Sequence, residues 1–402
     1  MRVLFLTHRL PYAPNRGDRL RAFQIVRVLA PRVELELLSL VHDRNELAHA
    51  DDLRRLGTRV STFRIPHVSN YAKALVRLAG RRPLTHMLLD APGLVASVTR
   101  LVRERRPDVV LAYCSGMARF ALHTPLSSIP LVLDLVDVDS EKWSALAASA
   151  PWPMRWLYRR EARCLARFEQ KAAVTAKATL VVSERESRTL LRLAPGASVH
   201  VVPPGIDLAD VQPRCAPTEQ PLVVFCGVMN HVPNVEAVRW FAHEIWPLVR
   251  ASRPDARFVI VGSDPTAAVR RLASMPRGIE VTGTVSDVRS YLWNAAVSVA
   301  PLRIAPGVQT KVLEAVAAGL PTVVTSHVFG GLPHAIRAAC SLADSASAFA
   351  QQTLSLLALS GARRRAVAAQ ADFSQMTIET QLAPLHTILA AAANQDRHRA
   401  GS

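Results

Sequence analysis

Residues 297–326 read VSVAPLRIAPGVQTKVLEAVAAGLPTVVTS, two short apolar runs on either side of a helix-length segment. The outer runs, VSVAPL and PTVVTS, have the length and composition of buried strands. Pro306 and Gly307 interrupt the chain before the middle segment. A helix is therefore predicted to begin just after them, with apolar surface on nearly all sides. Strand, helix and strand in this order are typical of the βαβ unit of a parallel sheet.

The same alternation of strand-length runs and helix-length segments extends over the whole chain. The predicted strands are residues 3–7, 33–41, 108–113, 131–136, 178–183 and 199–203 in a first series and 222–227, 257–262, 279–283, 297–302 and 321–326 in a second. A chain of 402 residues is too long for one ordinary core, and the two series favour two domains.

A Pro-rich stretch, residues 203–221, separates the two series and marks the predicted domain boundary. We predict two facing Rossmann-like α/β domains with parallel sheets, an N-terminal domain over 1–208 and a C-terminal domain over 217–373. Residues 374–395 are predicted to form a C-terminal helix that packs back toward the N-terminal domain. Ligands of such sheets bind at the carboxyl ends of the strands, so the expected site is the interdomain cleft.

Lys311 and Glu314 are the charged residues of the otherwise apolar helical segment. Their spacing of three places them on one face, and one interpretation is an ordinary surface ion pair. The other interpretation is a binding site, because such a helix has little solvated face. The chain also contains 5 lysines against 44 arginines, and Lys311 is the only lysine after position 177. A lysine ammonium is a compact point charge that suits a phosphate.

The formal net charge of +17 is concentrated in the first half of the chain. Residues 1–200 carry 32 basic and 18 acidic side chains. No zinc-finger, RRM or helix-turn-helix pattern is present, so nucleic acid is not an expected partner. An anionic membrane surface or a phosphate-bearing substrate suits this basic half better, and simple solubility is the alternative. Residues 151–168 interleave tryptophans with five arginines, which is compatible with a membrane interface or with an ordinary packed helix.

The chain lacks several familiar signatures. No GxGxxG follows the first strand, and no GxxxxGK[ST] or HExxH occurs, which disfavours NAD, a P-loop and a zincin site. No apolar run approaches the length of a membrane span, and the first run is too short for a signal peptide. The protein is expected in the cytoplasm, with peripheral contact at the inner face of the membrane as a further expectation.

Loops after the predicted strands hold the remaining candidate residues. Gly17 precedes a helix predicted to begin near Asp18, where a plain turn and an anion-binding helix start are both compatible with the pattern. Asp137 and Asp139 form a DxD that resembles a Mn²⁺ motif, but Asp139 or the following Ser140 can instead cap a helix. Other candidates for a cleft are Asp18, Arg19, Asp134, Asn230 and His231.

Eight stretches in order along nearly the whole chain carry a resemblance. They are PYAPNRGDRLRA, DLVDVDSEKW, LVVSERES, VVPPGID, FCGVMNHVPNVEAV, FVIVGSDP, VTGTVSDVRSYL and PLRIAPGVQTKVLEAVAAGLPTVV. Together they resemble the family 4 retaining glycosyltransferases of GT-B fold. Within that family they are similar to the sugar transferases associated with exosortase (PEP-CTERM) and exopolysaccharide gene clusters.

This resemblance implies a hexosyltransferase-type enzyme with a nucleotide-sugar donor on the C-terminal domain and a glycan or lipid-linked acceptor on the N-terminal domain. It assigns Glu314 to the ribose hydroxyls and Lys311 to the diphosphate, assisted by backbone N–H groups near Gly307 and Val308. Gly17 would let a first-domain loop approach the phosphates. The catalytic candidates are Lys311 and Asp137. The resemblance implies no metal and no further cofactor.

Two departures from the family pattern keep other functions open. The first Glu of the family's E-x7-E pattern is replaced by Pro306, and the His that often follows the strand near Asp134 is replaced by Val136. An inactive nucleotide-sugar-binding scaffold is one alternative function. A sugar-nucleotide epimerase of GT-B fold is another, although it needs acid and base groups that this chain supplies poorly.

Overall fold

The computed structural model describes residues 1–12, 17–274, 278–305 and 308–400. The chain forms two compact units, residues 1–205 with 379–402 and residues 206–378. The first boundary lies within the Pro-rich stretch, and the C-terminal helix belongs to the first unit. The sequence-based boundaries were 208 for the first domain and 374 for the start of the final helix.

A parallel sheet forms the centre of the first unit. Within the described residues of this unit, its strands are β1 (Arg2–Thr7), β2 (Glu34–Val41), β3 (Arg59–Arg64), β4 (Val109–Tyr113), β5 (Leu131–Val136), β6 (Ala178–Val181) and β7 (Val199–Val201), in the spatial order β3-β2-β1-β4-β5-β6-β7. Phe5 at the centre of β1 pairs with Leu37 on one side and Leu111 on the other. All three are fully buried, as expected for inner strands covered on both faces.

Helices follow most strands of the first unit. They are α1 (Gly17–Leu29), α2 (Arg44–Leu47), α3 (Ala50–Arg55), α4 (His67–Val76), α5 (Leu84–Leu88), α6 (Leu94–Glu104), α7 (Ser115–Ala121), α8 (Asp139–Ser149), α9 (Met154–Thr175) and α10 (Glu184–Leu193). Residues of α6, α7 and α9 form one apolar cluster with β4 and β5.

The second unit repeats the same plan. In its described part the strands are β8 (Leu222–Cys226), β9 (Arg257–Val261), β10 (Ile279–Gly283), β11 (Val297–Ala300), β12 (Thr322–Val324) and β13 (Cys340–Leu342), all parallel, in the order β10-β9-β8-β11-β12-β13. In both units the fourth strand lies beside the first, which is the order of a doubly wound Rossmann-like sheet. The α/β fold class with two parallel sheets is thus confirmed.

The helices of the second unit complete this plan, and the last helix returns to the first unit from Glu379 onward. They are α11 (Leu208–Val211), α12 (Val232–Trp240), α13 (Trp246–Ser252), α14 (Ala267–Arg270), α15 (Arg289–Trp293), α16 (Thr310–Ala317), α17 (Ser326–Gly331), α18 (Ala346–Leu357), α19 (Gly361–Ala368) and α20 (Ile378–Ala400). Among the described helices, none is both long and apolar enough to cross a bilayer.

Two strands are absent from the sequence-based series, which is wrong at these positions. Both lie at the edge of a sheet. β3 reads RVSTFR, and its residues are half-buried or exposed, so no apolar run marks it. β13 has three residues, too few for a recognisable pattern. An edge strand is covered less than an inner one, and its sequence therefore carries less of the apolar signal.

Two predicted helix starts also differ from the structure. α16 begins at Thr310 with Gln309 as its N-cap, three residues after Gly307 rather than just after it. α8 begins at Asp139 with Val138 as its N-cap, so neither Asp139 nor Ser140 caps it. The amide of Ser140 instead lies 3.3 Å from both carboxylate oxygens of Glu169, a group 29 residues away. A distant side chain thus takes the place of the local cap.

Candidate functional site

Lys311 lies in the first turn of α16 and is held by residues of the second sheet. Its ammonium donates a hydrogen bond of 2.5 Å to Oδ1 of Asn234, a buried residue of α12. Nζ also lies 4.8 Å from the ring centroid of Phe225 on β8, a cation–π distance. Of the two interpretations of the Lys311 and Glu314 spacing, the surface ion pair is not the main contact of the ammonium, which binds Asn234 instead. We call Lys311, Asn234, Phe225 and Glu314 the lysine cluster.

Asn234 is fixed from its other side and orients the lysine. Its Nδ2 donates a 3.0 Å hydrogen bond to the carbonyl of Val228, in the loop that follows β8. The amide therefore presents Oδ1, and not Nδ2, to the ammonium. Sequence reasoning missed this residue, because an Asn in the first turn of a helix gives no sign of a partner 77 positions away.

Two glycines at the carboxyl ends of β8 and β9 keep the backbone beside the lysine cluster close-packed. A Cβ on Gly227 would lie 2.8 Å from Nδ2 of Asn234 and 3.3 Å from Nζ of Lys311. A Cβ on Gly262, which has a φ of +153°, would lie 1.6 Å from the carbonyl oxygen of Gly227. Only glycine fits at Gly262, where the clash is with backbone, whereas a Cβ on Gly227 would displace the side chain of Asn234.

Burial shifts the ionisation of the charged members of the cluster toward neutral pH. Desolvation lowers the pKa of Lys311 to about 8, opposed by the nearby Cys226 and Glu314. Desolvation raises the pKa of Glu314 to about 7, with Lys311 opposing and Asp210 adding to the rise. Shifts of this kind cluster at functional sites. The cluster places one cation and one carboxylate, both partly accessible, on one face of α16.

The other candidates of the second unit lie in the segments just before α16 and α12, and they differ in exposure to solvent. Val308 is half-buried and precedes α16. Asn230 and His231 are exposed in the loop between β8 and α12, and His231 is the N-cap position of α12 without a capping side-chain bond. Gly307 and Pro306 lie outside the described residues.

In the first unit, a buried ion pair lies at the carboxyl end of β5. Nε of Arg21 on α1 donates a 3.0 Å hydrogen bond to Oδ2 of Asp134, and both side chains are buried. Oδ1 of Asp134 accepts the amide of Val136 at 3.1 Å. Nη1 of Arg21 has no hydrogen-bond partner among the described residues. Arg21 was not a sequence-based candidate, because one arginine among 44 carries no signal of its own.

Val136 itself has a left-handed backbone, with a φ of +64°. This conformation is uncommon for any residue with a side chain and rarest for a β-branched one, and such outliers concentrate at functional sites. It is also the position at which the family resemblance has a His. The sequence identified the departure, and the structure shows that it falls on a strained turn.

Asp137, the other catalytic candidate, follows this turn and is surrounded by charge. Burial raises its pKa to about 7, with Glu186 adding to the rise and Lys142 opposing it. Lys142 pairs with Asp139 at 2.5 Å. Glu186 accepts the amide of Val138 at 2.8 Å. Asp137 can therefore gain or lose a proton near neutral pH.

The first loop of the unit is organised around Glu46, a fully buried residue of α2 that sequence reasoning missed. Its carboxylate accepts a hydrogen bond from Nη2 of Arg19 and another, at 2.8 Å, from the amide of His42. Arg19 also donates a 2.5 Å bond to the hydroxyl of Tyr12. Gly17 begins α1, as predicted to within one residue. The side chain of Asp18 lies outside the described part of the chain.

Within residues 1–12, 17–274, 278–305 and 308–400, no three His, Cys, Asp or Glu side chains are grouped so that they could hold a metal ion.

Comparison with protein-family models gives two matches. Residues 47–210 match Glycosyltransferase Family 4, and residues 220–359 match glycosyl transferases group 1. The two matches cover most of the first unit before α20 and most of the second. A search of curated protein sequences finds no match.

Solved structures of similar fold cover nearly the whole chain at low identity. Sucrose-phosphate synthase from Thermosynechococcus elongatus is 16% identical with a TM-score of 0.67, over 98% of this chain and 100% of that one. Anabaena HepE in complex with UDP and glucose is 15% identical with a TM-score of 0.66, over 97% and 100%. An E. coli trehalose-6-phosphate protein bound with UDP-2-fluoro glucose is 13% identical with a TM-score of 0.64, over 96% and 99%.

These structures show the same fold, and the family models show the kind of enzyme. Both parallel sheets and both family matches agree on one assignment. The chain is a GT4-like glycosyltransferase of GT-B fold.

Proposed function

We propose that this protein is a retaining glycosyltransferase of hexosyltransferase type. It moves a sugar from a nucleotide-sugar donor to a lipid-linked glycan in exopolysaccharide biosynthesis, the role of the exosortase-associated subgroup that it resembles. The observation that carries the proposal is the Lys311 ammonium, fixed on Asn234 at the carboxyl edge of the second sheet. The neighbours that bind UDP or a UDP-sugar support donor use.

Lys311 stabilises the leaving nucleoside diphosphate in this proposal. When the bond between the anomeric carbon and the phosphate oxygen breaks, negative charge grows on the diphosphate, and a fixed ammonium beside it lowers the barrier. The carboxylate of Glu314, one turn further along α16, accepts hydrogen bonds from the ribose hydroxyls. Backbone N–H groups at Gly307 and Val308 add donors to the phosphates.

The acceptor side is assigned to the first unit. A donor phosphate oxygen takes the proton of the acceptor hydroxyl while the new glycosidic bond forms on the face of the sugar from which the diphosphate leaves. No protein base is therefore required. Asp137 contacts the acceptor. Its pKa of about 7 suits a group that donates or accepts hydrogen bonds with a sugar hydroxyl. Arg21 of α1, which pairs with Asp134 at the end of β5, offers an Nη1 that has no hydrogen-bond partner among the described residues. We expect turnover without a metal ion.

A donor screen is the experiment that tests this function. Purified protein is heated with UDP-, GDP-, ADP- and TDP-sugars, with and without EDTA, because a bound donor raises the melting temperature by mass action. The expected result is a rise with one nucleotide class that EDTA leaves unchanged. No rise with any donor would contradict donor binding, and a rise that EDTA abolishes would contradict metal independence.

Product analysis with the stabilising donor then separates the alternatives. A new glycosidic bond supports the transferase, an epimerised donor supports the epimerase, and unchanged donor supports the scaffold. Pro306, in place of the first Glu of the family pattern, is the observation that favours the scaffold.

Peripheral contact with an anionic membrane is part of the proposal, and α4 supports it. Four apolar side chains project into solvent from this helix, Val68, Tyr71, Leu75 and Val76, and Trp152 before α9 is 82% exposed. Residues 53–89 around the helix carry eight basic and no acidic side chains. Exposed apolar residues framed by positive charge fit the surface of anionic lipid.

Vesicle sedimentation tests this contact. Phosphatidylglycerol vesicles are expected to carry the protein down more than phosphatidylcholine vesicles do, and Val76→Glu is expected to reduce the bound fraction about threefold or more, since it removes apolar area and adds negative charge. Val174→Glu, on an exposed valine of α9, is the matched control. Equal loss in both variants would contradict a specific role of α4.

A further inference from the structure

A cavity of about 720 Å³ that is open to solvent lies within the first unit, and its lining includes none of the strand-end residues described above. Helices α5, α6, α7 and α9 surround it. Its inner wall is apolar and includes Leu94 and Val98 of α6, Phe120 of α7 and Phe168 of α9. The volume and the apolar lining are those of a small-molecule site rather than of a packing defect.

The rim of this cavity is strongly basic. Four arginines and one carboxylate line it, which together carry three net positive charges: Arg81, Arg82, Arg119, Arg167 and Asp90. Nη2 of Arg82 donates to Asp90 at 3.2 Å. An apolar wall below a ring of arginines matches a ligand with an anionic head and an apolar chain.

Arg119 is the buried member of this ring and retains donor capacity. It is 5% exposed, and its Nε donates to the carbonyl of Gly116 at 2.9 Å while Nη1 pairs with Asp90. Nη2 has no hydrogen-bond partner within the described residues. A buried guanidinium N–H without a partner is costly, and an anionic ligand would satisfy it.

The rim is also continuous with the proposed membrane face. Arg160 of α9 donates hydrogen bonds to the carbonyls of Leu78, at 2.7 Å, and Gly80, at 2.6 Å. It thereby ties the segment after α4, which ends in Arg81 and Arg82, to the helix that forms one wall. A lipid leaving a bilayer at α4 would meet the arginine rim first.

We propose that this cavity binds a lipid phosphate, with the phosphate at Arg119 and the rim arginines and the chain along the apolar wall. Identifying this lipid as the carrier of the acceptor rests on the proposed function. Binding itself does not, because the cavity lies within the first unit and needs no donor.

Titration of the full-length protein without donor tests the inference. Three probes are compared by calorimetry: farnesyl phosphate, farnesol and inorganic phosphate. Saturable binding of farnesyl phosphate is expected, with each of the other two about tenfold weaker or more, because each lacks one half of the recognised chemistry. Farnesol binding equally well would overturn the role of the arginines, and inorganic phosphate binding equally well would indicate a free-anion site and overturn the lipid.

Two variants at the cavity and one control variant locate the site. Arg167→Glu reverses a charge of the rim and is expected to weaken farnesyl phosphate binding about tenfold. Arg163→Glu, on an exposed arginine one turn earlier on α9 that does not line the cavity, is expected to change it less than about twofold. Val95→Trp fills the entrance of the cavity. Because Val95 is 55% exposed to solvent, the larger side chain requires little rearrangement of the core.

The two site variants and the donor screen have distinguishable outcomes. Unchanged affinity in both Arg167→Glu and Val95→Trp would overturn the cavity as the site, even if donor binding and transfer proceed normally. Weakened lipid binding in these variants together with a failed donor screen would support the cavity and contradict the transferase.

Discussion

Lys311→Ala is expected to lower turnover by about 10²- to 10³-fold, with the fold retained. The structure fixes this ammonium beside the carboxyl end of β8, through its 2.5 Å bond to Asn234. Without it, the charge that develops on the leaving diphosphate has no fixed counter-charge on α16. The Lys311 side chain is half-buried, and Asn234 keeps its hydrogen bond to the carbonyl of Val228 without it, so the effect on stability is small beside the effect on rate.

Initial rates with the donor that the screen selects give the measurement. The matched control is Lys171→Ala, an exposed lysine of α9. Lys142 is unsuitable as the control, because it pairs with Asp139 beside Asp137. Equal small losses in the Lys311 and Lys171 variants would remove Lys311 from the mechanism.

The pH dependence of donor affinity gives an independent readout of the same group. Lys311, with a pKa of about 8, is charged below that pH, and Glu314, with a pKa of about 7, is a carboxylate above that one. Affinity for the nucleoside diphosphate is therefore expected to be highest between these values, to fall as the pH rises above 8 and to fall again below 7. The Lys311→Ala variant should lose the alkaline decline. Asn234→Asp should move that decline to higher pH, because a carboxylate beside the ammonium raises its pKa.

The sequence predicts every inner strand of the two described sheets, whereas of their four edge strands it predicts β7 and β10 and misses β3 and β13. β1, β8 and β11 are inner strands, and their apolar runs are continuous because helices pack on each side. β3 and β13 lie at sheet edges, where part of each residue faces solvent, and no run marks them. The two missed strands therefore have a physical explanation. Burial, and not strand formation itself, selects apolar residues, so a half-exposed strand has no apolar run.

The candidate site divides in a similar way. Lys311 and Glu314 are identifiable from the sequence because a charge is conspicuous in an apolar helix. Asn234 and Arg21 are not, because their roles depend on partners 77 and 113 positions away. The roles of one helical amide and of one arginine among many become visible only when each sheet brings its own strand ends together. Sequence therefore predicts the charges of this site better than it predicts the groups that orient them.

Gly262→Ala is expected to destabilise the second unit by about 3 kcal/mol or more, the combined effect of a steric clash and a disfavoured backbone. Its φ of +153° is one that residues with a side chain rarely adopt, and the new Cβ would lie 1.6 Å from the carbonyl oxygen of Gly227. Backbone, and not a flexible side chain, would have to move. For a unit of this size the melting temperature should fall by about 6–12 °C in a calorimetric scan.

The displaced strand end should also disturb donor binding, since Gly227 lies against both Asn234 and Lys311. The folded fraction of Gly262→Ala is therefore expected to bind the nucleoside diphosphate more weakly at temperatures well below its transition. Gly330→Ala is the matched control, because a Cβ at this exposed position in α17 meets no atom within 4 Å. That variant should melt within about 2 °C of the parent and bind normally. A Gly262→Ala protein with unchanged melting and binding would mean that β8 and β9 do not approach as closely at this end, and the close backbone packing beside Lys311 would then not be part of the site.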